Sequence, residues 1–120
     1  MEVINRSTVA AFVGPDGATI RELAASRNSS AQKQSLAEAT IPVGGTVTLH
    51  YHKVTEELYY ILSGTGLMTI EDEVQEVGPG DTIVIAPGQR HKIANNGQVP
   101  LVLLASCSPQ WSAEDHIPAE

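Results

Sequence analysis

The chain has 120 residues, enough for one domain with a hydrophobic core. Its formal net charge is −7 and its pI is near 4.9. The few basic residues are scattered, whereas nucleic acids and anionic membrane surfaces require clustered Lys and Arg. The composition therefore excludes nucleic acid and membranes as main partners, and it is typical of a globular chain and not of a disordered one.

The cysteine content and the apolar runs give an expected location. Cys107 is the single cysteine, so an internal disulfide is excluded. The first residues, MEVINRSTVAAFVG, lack the basic region of a signal peptide. No apolar run approaches the roughly 18 residues that span a bilayer. We therefore expect a cytoplasmic protein.

Clusters of turn-forming residues divide the chain into short segments of β-type composition. In chain order the predicted strands are TIRELA, QKQSLAEATI, TVTLHYH, ELYYILS, LMTIEDE, VQEV, DTIVIA, HKIAN and LVLLASC. Short strands at nearly even spacing predict an all-β sandwich or barrel. The segment GLMTIEDEVQEVGPGD is predicted to form a hairpin, and SAEDHI is compatible with one terminal helical turn.

Two histidines share a direction in the segment GGTVTLHYHKVTEELYYILSG. Side chains alternate along a strand, so His50 and His52 are predicted to project from one face together with Thr46 and Thr48. Glu57 begins the next strand after the turn KVTE. An antiparallel pairing across that turn would place Glu57 within reach of both imidazoles.

A third imidazole, His91, follows the turn APG far along the chain. Clusters of two or three histidines with a carboxylate suit Mn, Fe, Ni, Cu or Zn. A lone strand histidine is more often a surface residue. A buried cluster needs a metal or a complete hydrogen-bond network, because each unpaired buried polar group costs about 1–3 kcal/mol. The spacing alone leaves both possibilities open.

The first of these segments resembles a conserved motif of the cupin superfamily. That family's pattern is G-x5-H-x-H-x(3,4)-E-x6-G. Residues 44–64 match it at every fixed position, namely Gly44, His50, His52, Glu57 and Gly64.

A second segment, residues 80–95, resembles the other cupin motif, G-x5-P-x-G-x2-H-x3-N. It matches at Gly80, Gly88, His91 and Asn95. Ala86 occupies the expected proline position, and Pro87 follows one residue later. The turn keeps its proline and glycine, and the departure does not affect a ligand position.

The resemblance implies a fold and a ligand set. The fold would be a double-stranded β-helix, a small jelly-roll barrel, with residues 1–120 forming a single cupin domain. One divalent transition metal, Mn, Fe, Ni, Cu or Zn, would be bound by His50, His52, Glu57 and His91. Glu56 is the rival carboxylate, since the family permits three or four intervening residues. The six residues between Glu57 and Gly64 favour Glu57.

The implied ligand set predicts a function class. Three nitrogens and one oxygen leave two octahedral positions free for a ligand. We therefore predict a metal-dependent enzyme acting on a small oxygen-rich metabolite, a sugar or an organic acid. By resemblance, it would be an isomerase, lyase, decarboxylase or dioxygenase. The alternative is a non-catalytic module that binds a metal or a small molecule. Likeness to small cupins also implies a homodimer.

Tyr59 is the candidate catalytic residue around this site. It shares the direction of Glu57 and offers a phenolic hydroxyl for hydrogen bonding or proton transfer. Gln89 is a candidate for the mouth of the site, and Arg21 or Arg90 is a candidate for contact with an anionic ligand. Each is equally compatible with an ordinary surface or barrel position.

Three residues after the second motif have structural interpretations. Trp111 is predicted to cap one end of the barrel or to shield the pocket. His116 lies in a polar tail and is predicted to be exposed. Cys107 is predicted to be buried as a small hydrophobic side chain.

Overall fold

A computed structural model describes residues 1–120, whose regular structure is almost entirely β-strand. A six-stranded antiparallel sheet has the order β1 (Phe12–Val13), β2 (Thr19–Ala24), β3 (Ser35–Ile41), β10 (Leu101–Ser108), β5 (Glu56–Ser63) and β8 (Thr82–Ile85). A five-stranded antiparallel sheet has the order β11 (Ile117–Pro118), β4 (Thr46–Tyr51), β9 (His91–Asn95), β6 (Gly66–Ile70) and β7 (Glu73–Val77). The all-β jelly-roll prediction is confirmed.

The helical content is limited to two short 3-10 turns, Arg6–Thr8 and Ala113–Asp115. The second falls within the segment for which the sequence allowed one turn. Neither turn is long enough or apolar enough to cross a membrane. The predicted hairpin is also present, because β6 and β7 pair from Gly66 opposite Val77 to Ile70 opposite Glu73.

The core lies between the two sheets and is mainly aliphatic. The largest fully buried aliphatic side chains are Ile41, Ile61, Ile85, Ile93, Leu101 and Leu103. Alternation along β5 buries Glu57, Tyr59 and Ile61 and leaves the residues between them more exposed, so Tyr59 shares the direction of Glu57 as the sequence predicted. Gly64 ends this strand at φ +80°, and a Cβ there would lie 2.5 Å from the Pro100 carbonyl oxygen. Only glycine fits this corner without strain.

One predicted pairing is wrong. The turn KVTE does not join antiparallel neighbours, because β4 pairs with β9 and β11 whereas β5 pairs with β10 and β8. The chain instead crosses here from one sheet to the other. The start of β5 therefore faces the end of β4 across the barrel interior, and Glu57 approaches the histidines from the opposite sheet.

Candidate metal centre

Four side chains converge inside one end of the barrel. His50 lies near the end of β4 and His52 directly after it, while His91 begins β9 opposite His50. Glu57 reaches them from β5 in the facing sheet. One potential ligand atom from each residue lies within 4.8 Å of those of the other three. The structure therefore brings together all four residues that the sequence grouped.

A β-bulge in β4 changes which of its side chains point into the barrel with His50. Val47 aligns with Ile93 and His50 with His91, and the register shifts between the two pairs. Val47 is consequently buried and lines the cavity, whereas Thr48 is exposed. The prediction that Thr46 and Thr48 share the histidine face is therefore wrong, because the bulge interrupts the alternation on which it depended.

The four side chains are buried, and their hydrogen bonding is incomplete. Exposed fractions are 2% for His50, 3% for His52, 5% for Glu57 and 0% for His91. Nε2 of His52, Nε2 of His91 and Oε1 of Glu57 have no hydrogen-bond partner. Each such atom costs about 1–3 kcal/mol. The complete hydrogen-bond network that would replace a metal is therefore not formed.

The three imidazoles are oriented by backbone carbonyls. The Nδ1 atoms donate as follows: His50 to Thr48 at 2.8 Å, His91 to Gln89 at 2.9 Å, and His52 to Asp115 at 2.9 Å. A carbonyl oxygen only accepts, so each Nδ1 carries a proton, and in the neutral form of each ring Nε2 keeps its lone pair. Metal-binding histidines are commonly oriented in this way.

The distances and charges also fit a cation. Glu57 Oε1 lies 3.3 Å from His91 Nε2 and 3.5 Å from His52 Nε2. An ion about 2.0–2.2 Å from each ligand would hold adjacent ligand atoms about 3 Å apart. Burial lowers the pKa of His50 to about 3, so its ring is neutral at physiological pH. Although burial alone raises the pKa of Glu57, His52 and His91 hold it below its usual range.

Cys107 also contacts the cluster. Its thiol is buried, as predicted, but it is more than an apolar filler, since Sγ donates to Glu57 Oε2 at 3.2 Å. Burial raises the pKa of Cys107, and the carboxylate raises it further, so the thiol stays protonated. Cys107 therefore fixes one oxygen of Glu57 and leaves Oε1 facing Nε2 of His52 and Nε2 of His91.

A cavity of about 90 Å³ adjoins the cluster. Tyr59 lines it, with its ring centre 6.1 Å from that of His91. Burial raises the pKa of Tyr59 well above its usual value, so its phenol is a hydrogen-bond donor and not a phenolate. Arg27 is the arginine that lines the cavity, and it pairs with Glu22.

The other positions suggested from sequence lie elsewhere. Arg21 donates to the Val9 carbonyl, and neither it nor Arg90 lines the cavity. Gln89 acts through its carbonyl on His91, while its side-chain oxygen accepts the Ala86 amide and does not line this cavity. The rival carboxylate Glu56 is exposed.

Two tail residues belong to the cavity wall. Trp111 lines the cavity, which agrees with the pocket-shielding alternative. The prediction that His116 is exposed is wrong, because its ring stacks on that of His50, with centres 4.2 Å apart and planes at 7°. Asp16, in the turn before β2, also lines the cavity and was not anticipated. In the sequence, the only indication that the tail contributes to the cavity was the occurrence of Trp111 and His116 in one short segment.

The family assignment follows from the sequence comparison. The model of the cupin domain family matches residues 37–107. The chain belongs to the cupin family. That match does not test whether residues 1–120 form a single cupin domain, which stays a prediction.

This cupin is similar to proteins from two other organisms. It is 50% identical over 104 residues to an uncharacterised protein of Methanocaldococcus jannaschii, across 87% of this chain and 83% of that one. It is 35% identical over 69 residues to an oxalate-binding protein of Thermotoga maritima, across 58% of this chain and 57% of that one. The crystal structure of a predicted oxalate decarboxylase from Thermotoga maritima has a TM-score of 0.80 at 24% identity, covering 90% of this chain and 99% of that one. This last likeness shows the fold alone.

Proposed function

We propose that this cupin is a metal-dependent enzyme acting on a small organic acid or sugar, with His50, His52, Glu57 and His91 as the ligands of one divalent transition metal. One observation carries the proposal. Three buried potential ligand atoms have no hydrogen-bond partner and lie beside a cavity of about 90 Å³. A bound ion would satisfy all three atoms while the cavity admits a ligand.

The chain's own residues support such a site in distinct ways. When bound, the metal supplies a Lewis acid with coordination positions left open for a ligand. Glu57 provides the negative charge, and Cys107 holds its second oxygen at 3.2 Å. Tyr59 is the proposed catalytic residue, because its protonated phenol can donate to an oxygen of the ligand within the cavity.

The proposed ligand class follows from the donor set and the cavity. Mixed imidazole and carboxylate sites leave open positions that suit oxygen ligands such as carboxylates and hydroxyls. The cavity suits a small metabolite and not a polymer. The name of the oxalate-binding relative supports a carboxylate, although the chain spans only 57% of that protein. Isomerase, lyase, decarboxylase and dioxygenase reactions remain the candidates.

The test uses chelator-stripped protein reloaded separately with Mn, Fe, Ni, Cu or Zn. Each form is incubated with a panel of small acids and sugars while NMR follows products, and oxygen consumption and carbon dioxide release are recorded. We expect turnover in at least one metal form, abolished by His52→Ala and reduced at least 10-fold in kcat by Tyr59→Phe. Tight binding without turnover in any form would favour the non-catalytic module. If no metal form bound or converted any compound, both the enzyme and the non-catalytic binding module would be contradicted.

We also propose a homodimer formed through the six-stranded sheet. Its outer face exposes apolar side chains on three strands, β3, β5 and β8, namely Leu36, Leu58, Tyr60, Leu62 and Val84. Such a patch favours association. Sedimentation equilibrium should give a dimer for wild type and a monomer for Tyr60→Glu. The control Val74→Glu, on the other sheet, should remain dimeric, and a monomeric wild type would contradict the proposal.

A further inference from the structure

A second group of polar atoms faces the same cavity, apart from the four proposed ligands. Asp16 is half-buried, and its Oδ1 has no hydrogen-bond partner. A carboxylate oxygen of Asp16 and ring nitrogens of His50 and His116 lie within 4.8 Å of one another. Asp16 therefore presents an unused acceptor beside the ring of a proposed metal ligand.

The orientation of His116 is set by two contacts. Trp111 Nε1 lies 3.1 Å from His116 Nδ1, and the ring stacks on His50. An indole N–H only donates, so Nδ1 of His116 must accept. A neutral His116 then carries its proton on Nε2. It therefore offers the cavity a donor, next to the acceptor that Asp16 offers.

This arrangement is complementary to a hydroxyl group. A hydroxyl oxygen accepts one hydrogen bond and donates another. With ordinary bond lengths and a tetrahedral angle, its two partners lie about 4.5 Å apart. A carboxylate oxygen of Asp16 and a ring nitrogen of His116 lie within 4.8 Å of each other, a separation that one bridging hydroxyl can span.

A second metal ion does not fit the same atoms. Nδ1 of His50 donates to Thr48, which leaves that ring a single nitrogen, and this nitrogen belongs to the proposed metal centre. Nε2 of a neutral His116 carries a proton and has no lone pair to give. Asp16 would remain as the only ligand, which is too few for a transition metal.

We infer that Asp16 and His116 form a hydroxyl-binding subsite beside the metal, with Trp111 as the positioning residue for His116. The ligand of this cupin then carries a hydroxyl close to the oxygen that the metal binds, as in small hydroxy acids. The subsite deepens the proposed function and rests on it. The same cavity is lined by small apolar side chains such as Ala18 and Val47, against which a short carbon skeleton would pack.

The test compares carboxylates that differ only in one hydroxyl. Affinities of the metal-loaded protein for glycolate and acetate, lactate and propionate, and malate and succinate are measured by calorimetry. We expect the hydroxylated member of at least one pair to bind about tenfold tighter, as for one hydrogen bond to a charged group. Asp16→Ala and His116→Phe should bring this ratio close to one while elemental analysis shows unchanged metal content. Trp111→Phe should reduce the ratio partly.

The exposed neighbour Glu114 provides a matched control, since Glu114→Gln should leave the ratio unchanged. A metal-loaded wild type that binds neither member, or both members of every pair equally, would overturn the subsite alone. A hydroxyl preference that persists in both variants would do the same, because the hydroxyl would then lie on the metal. Loss of metal in either variant would overturn it too, by placing that residue in the metal site. A wild type that retains no metal would instead contradict the proposed function, and the subsite with it.

Discussion

The two ends of the barrel interior differ in how completely their buried polar side chains are hydrogen-bonded. On β9, His91 at one end has an unpartnered Nε2, whereas Asn95 at the other end is fully hydrogen-bonded. Asn95 Nδ2 donates to Ile41 and Val99, and its Oδ1 accepts from Gly97. Both residues are motif positions and both are buried. The protein supplies hydrogen-bond partners for every polar side-chain atom of Asn95, but it supplies none for Nε2 of His91.

This difference separates the part that stabilises the barrel from the part suited to a ligand. The Asn95 end is surrounded by buried aliphatic side chains, whose removal from water stabilises the fold. The His91 end contains three buried atoms without partners, which destabilise it unless something binds there. Substitutions at the first end should therefore change stability, and those at the second should change metal affinity.

The largest expected effect is on stability at the aliphatic end. Ile93 is fully buried, and Ile93→Ala should lower the free energy of unfolding by about 2–5 kcal/mol, because it leaves a cavity. Urea unfolding of the metal-free protein measures this, with Val74→Ala, exposed and outside the proposed dimer face, as the control at about 0.5 kcal/mol or less. The folded variant should keep the wild-type metal content. A folded Ile93→Ala protein without metal would contradict the claim that substitutions at the aliphatic end change stability and leave metal binding intact.

A smaller effect is expected on metal affinity at Cys107. Cys107→Val removes the donor to Glu57 Oε2 and should weaken metal binding by about 10–100-fold, as for other residues that orient ligands. Cys107→Ser keeps a donor and should stay close to wild type. Competition with a chelator gives both constants. Equal affinities for the two variants would mean that the thiol has no orienting role.

The smallest expected effect concerns the loop that carries His52. The Asp115 carboxylate accepts the backbone amides of Lys53, Val54 and Thr55. Although burial acts the other way, these donors lower the pKa of Asp115 below 3.8. Its contribution to stability is therefore present above that value and is lost as the pH falls through the lowered pKa.

Asp115→Asn tests this contribution. It should lower stability at pH 7 by about 1–2 kcal/mol, since fewer amides find an acceptor. The difference from wild type should shrink below about pH 4, where the wild-type carboxyl is itself protonated. Thermal unfolding of both metal-free proteins across pH 3–7 measures it. A difference that is independent of pH would contradict the ionic role of Asp115.

The sequence predicted the cluster of three histidines and Glu57 better than the surroundings of the cavity, for a physical reason. His50, His52 and Glu57 lie within one short segment, where local spacing and strand alternation constrain direction. Asp16 and His116 meet across 100 positions, and no local pattern encodes that contact. The bulge in β4 and the crossing between sheets after it also escaped prediction, because both depend on tertiary packing.

The most direct test of the central claim is the metal content of three freshly purified, untagged proteins. Wild type, Glu57→Gln and Glu56→Gln are compared by elemental analysis, since the two adjacent glutamates differ in burial and in contact with the histidines. We predict about one equivalent of a divalent transition metal in wild type and in Glu56→Gln, and strong loss in Glu57→Gln. Absence of metal from wild type, together with no thermal shift on adding Mn, Fe, Ni, Cu or Zn, would contradict the account.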